Sequence, residues 1–368
     1  MASFLRDQPV LCVAALVAAA TAVVVPPSPA YADYMNWRVL GLLFCLMLCV
    51  AGLEQAGLFQ RVARLFLRGG RSLRFVGTAL VMLCFFTSML VTNDVALLTF
   101  VPFTLFLFKV SGNERRAAPV VVLQTLAANL GSMVTPFGNP QNLFVYEHYS
   151  LSALDFMSCI LPFAAVSLVG LAVCSAVFCK GPAMRAGISE DVRLDVPALA
   201  LFGALFVLSV GCVLGLAPLP AVLAASVVLS LAFRRTALAG VNYGLLATFV
   251  LFFVISGNLA NIQPVREALT GMMQQAPFAV GLLASQVISN VPAAVLLAPF
   301  TSSWQQLLLG VDIGGLGTPV ASLASLISLE LFMRARLDSA PRYLALFTVA
   351  NVAFLALNII FGLAIGAL

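Results

Sequence analysis

Asp94 stands in the tripeptide Thr92-Asn93-Asp94, in the middle of an apolar run from about residue 75 to 108. At bilayer depth a carboxylate costs at least about 2.5–3.5 kcal/mol, so it pairs, binds a cation or titrates. Two readings are open: coupling to Na⁺ or H⁺, or capping at the tip of a hairpin. A second interrupted run, 276–303, carries Ser289-Asn290. The amides of Asn93 and Asn290 both donate and accept. They suit a substrate or a cation, and equally the cap of a returning helix. Thr135-Pro136-Phe137-Gly138-Asn139-Pro140 cannot continue a helix, because the prolines lack donors and Gly138 is permissive. An unwound segment there exposes carbonyls, which suit Na⁺, and a half-helix N-terminus, which suits an anion. Gly314 to Ser322, with Thr318-Pro319, repeats the pattern. A simple proline kink is the plainer alternative for each break. Gln141 and Asn142 follow the first break and are candidates to line the site.

Other chemistry is excluded by residue type. The single histidine, His148, cannot build a two-histidine zinc site. No Gly-Lys dipeptide occurs, so no phosphate-binding loop is present. The longest polar loop, about Cys179 to Asp195, is too short for a catalytic domain, and no nucleophile–base pair is visible, so an enzyme is not expected. The eight cysteines lie mostly in apolar spans and read as packing residues. His148, Glu147 and Asp155 surround a short outer turn. Asp312 reads as a structural residue near the outer mouth. Glu54 and Asn258 end paired helices.

These residues need elements to hold them, and the composition says which kind. Of 368 residues, 62% are hydrophobic and 9% charged, against roughly 25% charged in soluble domains. Mean hydropathy is +1.08. The chain reads as an all-α integral membrane protein, multi-pass in the cell (inner or plasma) membrane, with the lipid bilayer as its surroundings. The net charge of +5 sits in short loops and is no nucleic-acid footprint.

Spans of roughly 20 apolar residues predict crossings at 9–25, 37–54, 117–150 (broken), 155–178, 196–215, 218–233, 239–258, 306–332 (broken) and 343–366. The runs 75–108 and 276–303 read as re-entrant hairpins. Arg61, Arg64, Arg68, Arg71 and Arg74 precede the first, and Lys109, Arg115 and Arg116 follow it. Basic flanks are cytoplasmic, so this stretch enters and returns. Cysteines at Gly70 and Ser111 should then be labelled from one face. With Arg6, Lys180, Arg185, Arg193, Arg234, Arg235, Arg334, Arg336 and Arg342 inside, only Arg38 and Arg266 of the 19 basic residues fall outside. About nine crossings follow, with the N-terminus in and the C-terminus out. Residues 55–70 read as an interfacial amphipathic helix. Residues 1–32 also resemble a signal peptide with a cleavage-like Ala30-Tyr31-Ala32; its loss would leave the orientation of the rest unchanged.

The chain repeats itself. Residues 92–103 match 289–300 at Asn93/Asn290, Ala96/Ala293, Pro102/Pro299 and Phe103/Phe300. Gly131–Asn139 faces Gly314–Ser322, and Val50–Glu54 faces Val254–Asn258. An odd number of crossings separates matching elements. The halves, 1–195 and 196–368, are therefore expected to be inverted-topology repeats, an architecture of secondary transporters whose interrupted segments mark the binding site.

The motifs T-N-D-V-A, T-P-x-G-N-P-Q-N-L, S-N-V-P and G-T-P-x-x-S-L-A-S-L-I resemble the ion transporter superfamily over essentially the whole chain. That group includes citrate–metal symporters, divalent-anion/sodium symporters, arsenite permeases and one branch of Na⁺/H⁺ antiporters. The resemblance implies a scaffold and a moving transport domain, often in a homodimer. It also implies that hairpin tips contact substrate carboxylate and Na⁺, here at Thr92-Asn93-Asp94 and Ser289-Asn290-Val291. Asp94 and Val291 each stand where the divalent-anion branch has Thr. An anionic Asp94 beside an anionic substrate requires a cation or proton between them.

The expected function is a secondary transporter moving a small anion, an organic carboxylate or oxyanion, coupled to Na⁺ or H⁺ with no other cofactor. The alternative is a Na⁺/H⁺ antiporter working through Asp94 without an anion. The expected binding residues are Thr92, Asn93, Asp94, Thr135, Pro136, Gly138, Asn139, Asn142, Ser289, Asn290, Thr318, Pro319 and Ser322. Na⁺ is expected at Asn93, Asp94, Gly138 and Asn290.

Overall fold

The computed structural model describes residues 9–67, 71–179, 183–184 and 194–368. Arg6, Arg68, Gly70, Lys180, Arg185 and Arg193, which carry part of the expected orientation, lie outside them. The first helices are α1 (Pro9–Val24), α2 (Tyr31–Tyr34), α3 (Trp37–Gln55) and α4 (Leu58–Leu67). Then come α5 (Leu73–Ser88), α6 (Asn93–Val110), α7 (Ala117–Ser132), α8 (Pro140–His148) and α9 (Ala153–Phe178). The second half contains α10 (Val196–Val213), α11 (Leu219–Phe233), α12 (Thr236–Ala239), α13 (Tyr243–Asn261) and α14 (Gln263–Gln275). It ends with α15 (Pro277–Ile288), α16 (Asn290–Leu297), α17 (Trp304–Gly314), α18 (Leu323–Ala335) and α19 (Ala340–Ala364). Among the described residues one strand pair occurs, Arg71–Ser72 against Ala183–Met184.

Local sequence sets many of these boundaries. Asn36, Ser72, Ser152, Asp195 and Asn242 each accept a first-turn backbone N–H, from Val39, Phe75, Asp155, Ala198 and Leu245 respectively. In a bilayer such groups must be satisfied within the protein. The same demand explains the hydroxyls of Thr104, Ser175 and Ser209, which bond the carbonyls four residues before them.

Six helices, α3, α6, α9, α10, α13 and α19, are long and apolar enough to cross a membrane. α1, α5, α11, α15 and the stretch Asn290–Phe300 are apolar but shorter. At about 1.5 Å per residue, the 15 residues of α11 span less than a hydrocarbon core of about 30 Å. The helix expected at 55–70 starts at Leu58 rather than 55, because Gly57 at φ +81° separates it from α3; residues 68–70 lie outside the described residues. The crossing expected at 239–258 starts at Tyr243, since α12 is a separate turn. Helix α14 is not foreseen by the hydropathy pattern.

One order of elements occurs twice. A long helix, a short helix, two helices joined by a short tip, an interrupted helix and a long helix form α3–α9, and the same order forms α13–α19. In each set the first tip helix packs on the first half of the interrupted helix, α5 on α7 and α15 on α17. The halves differ at their matched prolines. Pro102 lies inside uninterrupted α6, whereas Pro299 lies in a 3-10 turn that ends α16.

Glycine makes both packings close. A Cβ on Gly131 would collide with the carbonyl of Phe85 and the hydroxyl of Ser88. One on Gly314 would lie 2.9 Å from Leu282 Cα and Ser285 Cβ. Small residues at such seams let helices approach in a membrane. Gly131→Ala and Gly314→Ala should each cost about 1–3 kcal/mol. Gly203→Ala and Gly211→Ala, with nothing within 4 Å of the added carbon, should be neutral or stabilising by up to about 1 kcal/mol. Thermal unfolding in detergent checks the contrast.

Candidate functional site

Each interrupted helix has its exposed carbonyls tied by a side-chain amide. In the first break Asn142 Nδ2 donates to the carbonyls of Met133 at 3.1 Å and of Ser132 and Thr135 at 3.3 Å. Gly138 sits so close to the Ser132 carbonyl that a side chain would not fit. Pro136 is buried beside it, and Pro140 opens α8, where a missing N–H is harmless. In the second break Gln286 of α15 has the corresponding task. It donates to the carbonyls of Gly314 (2.6 Å) and Leu316 (2.9 Å) and accepts from the Thr318 N–H at 2.9 Å. Pro319 opens a short 3-10 turn, and Gly317 at φ +108° reverses the chain.

The two breaks bind the two tips in the same way. Thr135 donates its hydroxyl to the carbonyl of Met89 at 2.6 Å. Thr318 donates its hydroxyl to the carbonyl of Gln286 at 3.1 Å. Met89 lies four residues before Asn93, and Gln286 lies four before Asn290.

The tips then meet the second break. Asn93, the first residue of α6, donates through Nδ2 to Asn129 Oδ1 at 3.1 Å. The same Asn129 oxygen accepts from Ser322 Oγ at 3.0 Å, and Asn129 Nδ2 donates to Ser325 Oγ at 3.4 Å. Ser289 donates to the carbonyl of Ala321 at 3.4 Å. Asn290 lies against Gly315, where an added Cβ would come within 2.8 Å of its Nδ2. Asn93, Asn129, Ser289, Asn290, Ser322 and Ser325 are all buried. Three helix N-termini, those of α6, α16 and α18, thus gather around Ala321 and Ser322, each with a partial positive charge. Ser289 holds a left-handed φ of +74°, a strained conformation of the kind found at binding sites.

Asp94 occupies the first turn of α6 and is half-buried. Its backbone N–H donates to Asn93 Oδ1 at 2.9 Å, and its carboxylate has no partner among the described residues. Thr92 precedes α6 without a side-chain cap. Asn139 is buried ahead of α8, and its Oδ1 lacks a partner among the described residues. The arrangement brings Asn93, Ser289, Asn290 and Ser322 together. Thr135, Thr318, Gly138, Pro136 and Pro319 shape the backbone around them. Thr318 is exposed, so the second break is open on one side.

Two residues outside the expected set hold this centre. Asn129 joins the first tip to the second break. Gln286 ties the second break. Asp312, expected as a structural residue near the outer mouth, is buried and accepts from Gln141 Nε2 at 3.1 Å, joining α17 to α8. The signal lies in the register of the repeat: Asn129 and Asp312 each precede their Thr-Pro by six residues. Asn258 is likewise a packing residue, donating to Thr21 Oγ1 and Tyr31 Oη at 3.1 and 2.9 Å and tying α13 to α1.

Residues 4–329 match the family model described as citrate transporter. An uncharacterized transporter of Methanocaldococcus jannaschii is 30% identical over 81% of this chain and 81% of its own. The inner membrane protein YbiR of Escherichia coli is 30% identical over 81% of this chain and 80% of its own. The silicon efflux transporter LSI3 of rice is 35% identical over a shorter segment, 38% of this chain and 28% of its own. Two of these relatives are named as transporters and one as an inner membrane protein; a transporter family, not an enzyme family, matches this chain, and that fits a multi-pass place in the cell membrane. Both tips and both breaks lie within the matched span, and the chain belongs to the citrate transporter family.

Proposed function

We propose that the chain is a secondary active transporter that moves a small anion, an organic carboxylate or oxyanion, coupled to Na⁺ or H⁺ by alternating access. One observation carries this reading: the N-termini of α6, α16 and α18 converge on Ala321 and Ser322 with buried Asn93, Asn129 and Asn290 beside them. Helix N-termini with amide and hydroxyl donors form an anion site. Asp94 at the same tip supplies the negative charge that a coupling Na⁺ or H⁺ neutralises. Where Na⁺ is the coupling ion, it is assigned to Asn93, Asp94, Gly138 and Asn290.

The halves 1–195 and 196–368 act as inverted repeats, supported by the repeated element order and by the paired bonds Thr135–Met89 and Thr318–Gln286. The tips are then re-entrant from opposite faces, with about nine crossings, the N-terminus in and the C-terminus out. Cysteines at Gly70 and Ser111 are expected to react with an impermeant reagent from the cytoplasmic face alone; labelling from opposite faces would remove the hairpin and the inversion.

Citrate is the first anion to test because the family model carries that description. Arsenite and silicic acid follow, the second because a relative is named for silicon efflux. Purified protein in liposomes should accumulate one of them, or succinate or sulfate, under an imposed Na⁺ or pH gradient. Equal uptake with and without gradients would mean a channel. The second reading, a Na⁺/H⁺ antiporter without an anion, is favoured by the free carboxylate of Asp94.

A further inference from the structure

Asp312 lies two turns inside α17, next to the second break, and is 5% exposed. Its Oδ1 accepts from Gln141 Nε2 at 3.1 Å, while Oδ2 is buried without a partner among the described residues. No basic side chain among them forms an ion pair with it. A carboxylate buried without a counter-charge is costly. A metal ion is poorly served here. The polar group that approaches is an N–H donor, and Leu308, Leu309, Val311 and Ile313 around Asp312 on α17 are apolar and buried. Hard cations need several oxygen ligands.

A cavity comes within one helical turn of Asp312. It has a volume of about 420 Å³ and is lined by Asp155, Ser158 and Cys159 of α9, Trp304 and Leu309 of α17, and Ile365 just past α19. Leu309 is one turn before Asp312, and Cys159 lines the same cavity. In the register of the repeat the same position in the first half is Asn129, an amide that cannot titrate.

Resting on the transporter reading, we propose that Asp312 is a proton-carrying group of the cycle. It holds a proton on Oδ2 in this conformation. The acid releases that proton to cavity water, leaving a carboxylate, and later takes one back. The helices packed on α17 bring few other ionisable groups. Helix α8 carries Tyr146, Glu147 and His148, with Glu147 paired to Arg38. Helix α19 carries Arg342, paired to Asp338, and Tyr343. Helix α9, across the cavity, carries Asp155, Cys159 and Cys174. Helices α7, α15 and α16 carry none.

Infrared difference spectroscopy of the full chain in lipid nanodiscs, titrated from acid to alkaline pH, tests this without any substrate. A protonated carboxyl band that disappears as pH rises is expected in the wild type and in Asp94→Asn. It is expected to be absent in Asp312→Asn and displaced in Asp312→Glu. Asp312→Asn preserves the acceptor for Gln141, and its repeat counterpart is already asparagine. In liposomes Asp312→Asn should lose at least tenfold of pH-driven anion accumulation. Spectra of Asp312→Asn and Asp312→Glu that superimpose on the wild type would overturn the proposal. A wild type that moves no anion would contradict the transporter reading instead, and the infrared result would still decide on Asp312.

Discussion

Replacing Asp94 with asparagine is expected to reduce ion-driven transport about a hundredfold while barely changing stability. The first half of this expectation rests on coupling. A coupling free energy of about 1–3 kcal/mol corresponds to roughly 5–150-fold, and Asp94→Asn removes the charge proposed to bind the coupling ion. The second half rests on contacts. The carboxylate has no partner among the described residues, and the bond at this position runs from the Asp94 backbone N–H to Asn93. Asparagine keeps that bond and the side-chain shape. What it loses is an acidic group in the first turn of α6, about 0.3–1 kcal/mol at a helix N-terminus. Gradient-driven uptake and melting temperature, measured on one preparation, separate the two effects. A large fall in melting temperature would show that Asp94 is structural.

Asn129 gives the second large effect, and here stability and transport should fall together. Its side chain accepts from Asn93 and Ser322 and donates to Ser325, so one buried amide joins a tip of the first half to the break of the second. Asn129→Leu leaves those three groups without this partner. Each buried unsatisfied group costs about 1–3 kcal/mol, so for three groups a loss on the order of 3–9 kcal/mol is expected, with transport abolished. A double-mutant cycle makes the claim specific. Asn129→Ala combined with Asn93→Ala, or with Ser322→Ala, should show an interaction energy of about 0.5–3 kcal/mol. Combined with Ser167→Ala, whose hydroxyl bonds Asn358 in another pair of helices, it should be additive within about 0.5 kcal/mol. Additivity in all three cycles would mean that the tip and the second break are energetically separate.

The breaks were legible because proline and glycine act locally. Pro136, Gly138 and Pro140 fall within five residues, and Pro319 follows Gly317, and the chain unwinds at both places, whereas the lone Pro102 stays inside α6. The tips were legible because a polar tripeptide interrupting an apolar run has few places to go. What holds these features was not legible. Gln286 reads as a lone polar residue in an apolar stretch until its three bonds to the second break are seen. Asn129 and Ser322 lie far apart in sequence, and only the packing of α7 on α18 brings them together. The burial of Asp312 against Gln141 was not legible either, because the two residues lie far apart in sequence. Helix α14 was missed because it is polar along much of its length and gives no hydropathy signal.

The most direct test of anion transport coupled to a cation uses the purified protein in liposomes loaded with a pH-sensitive dye. An inward Na⁺ gradient is imposed first with no permeant anion, then with citrate, succinate, sulfate or arsenite in turn. The account predicts silence without an anion, a Na⁺- or proton-linked signal with one of them, and loss of that signal in Asp94→Asn. Internal alkalinisation driven by Na⁺ with no anion present, and abolished in Asp94→Asn, would contradict it and make the protein a cation antiporter.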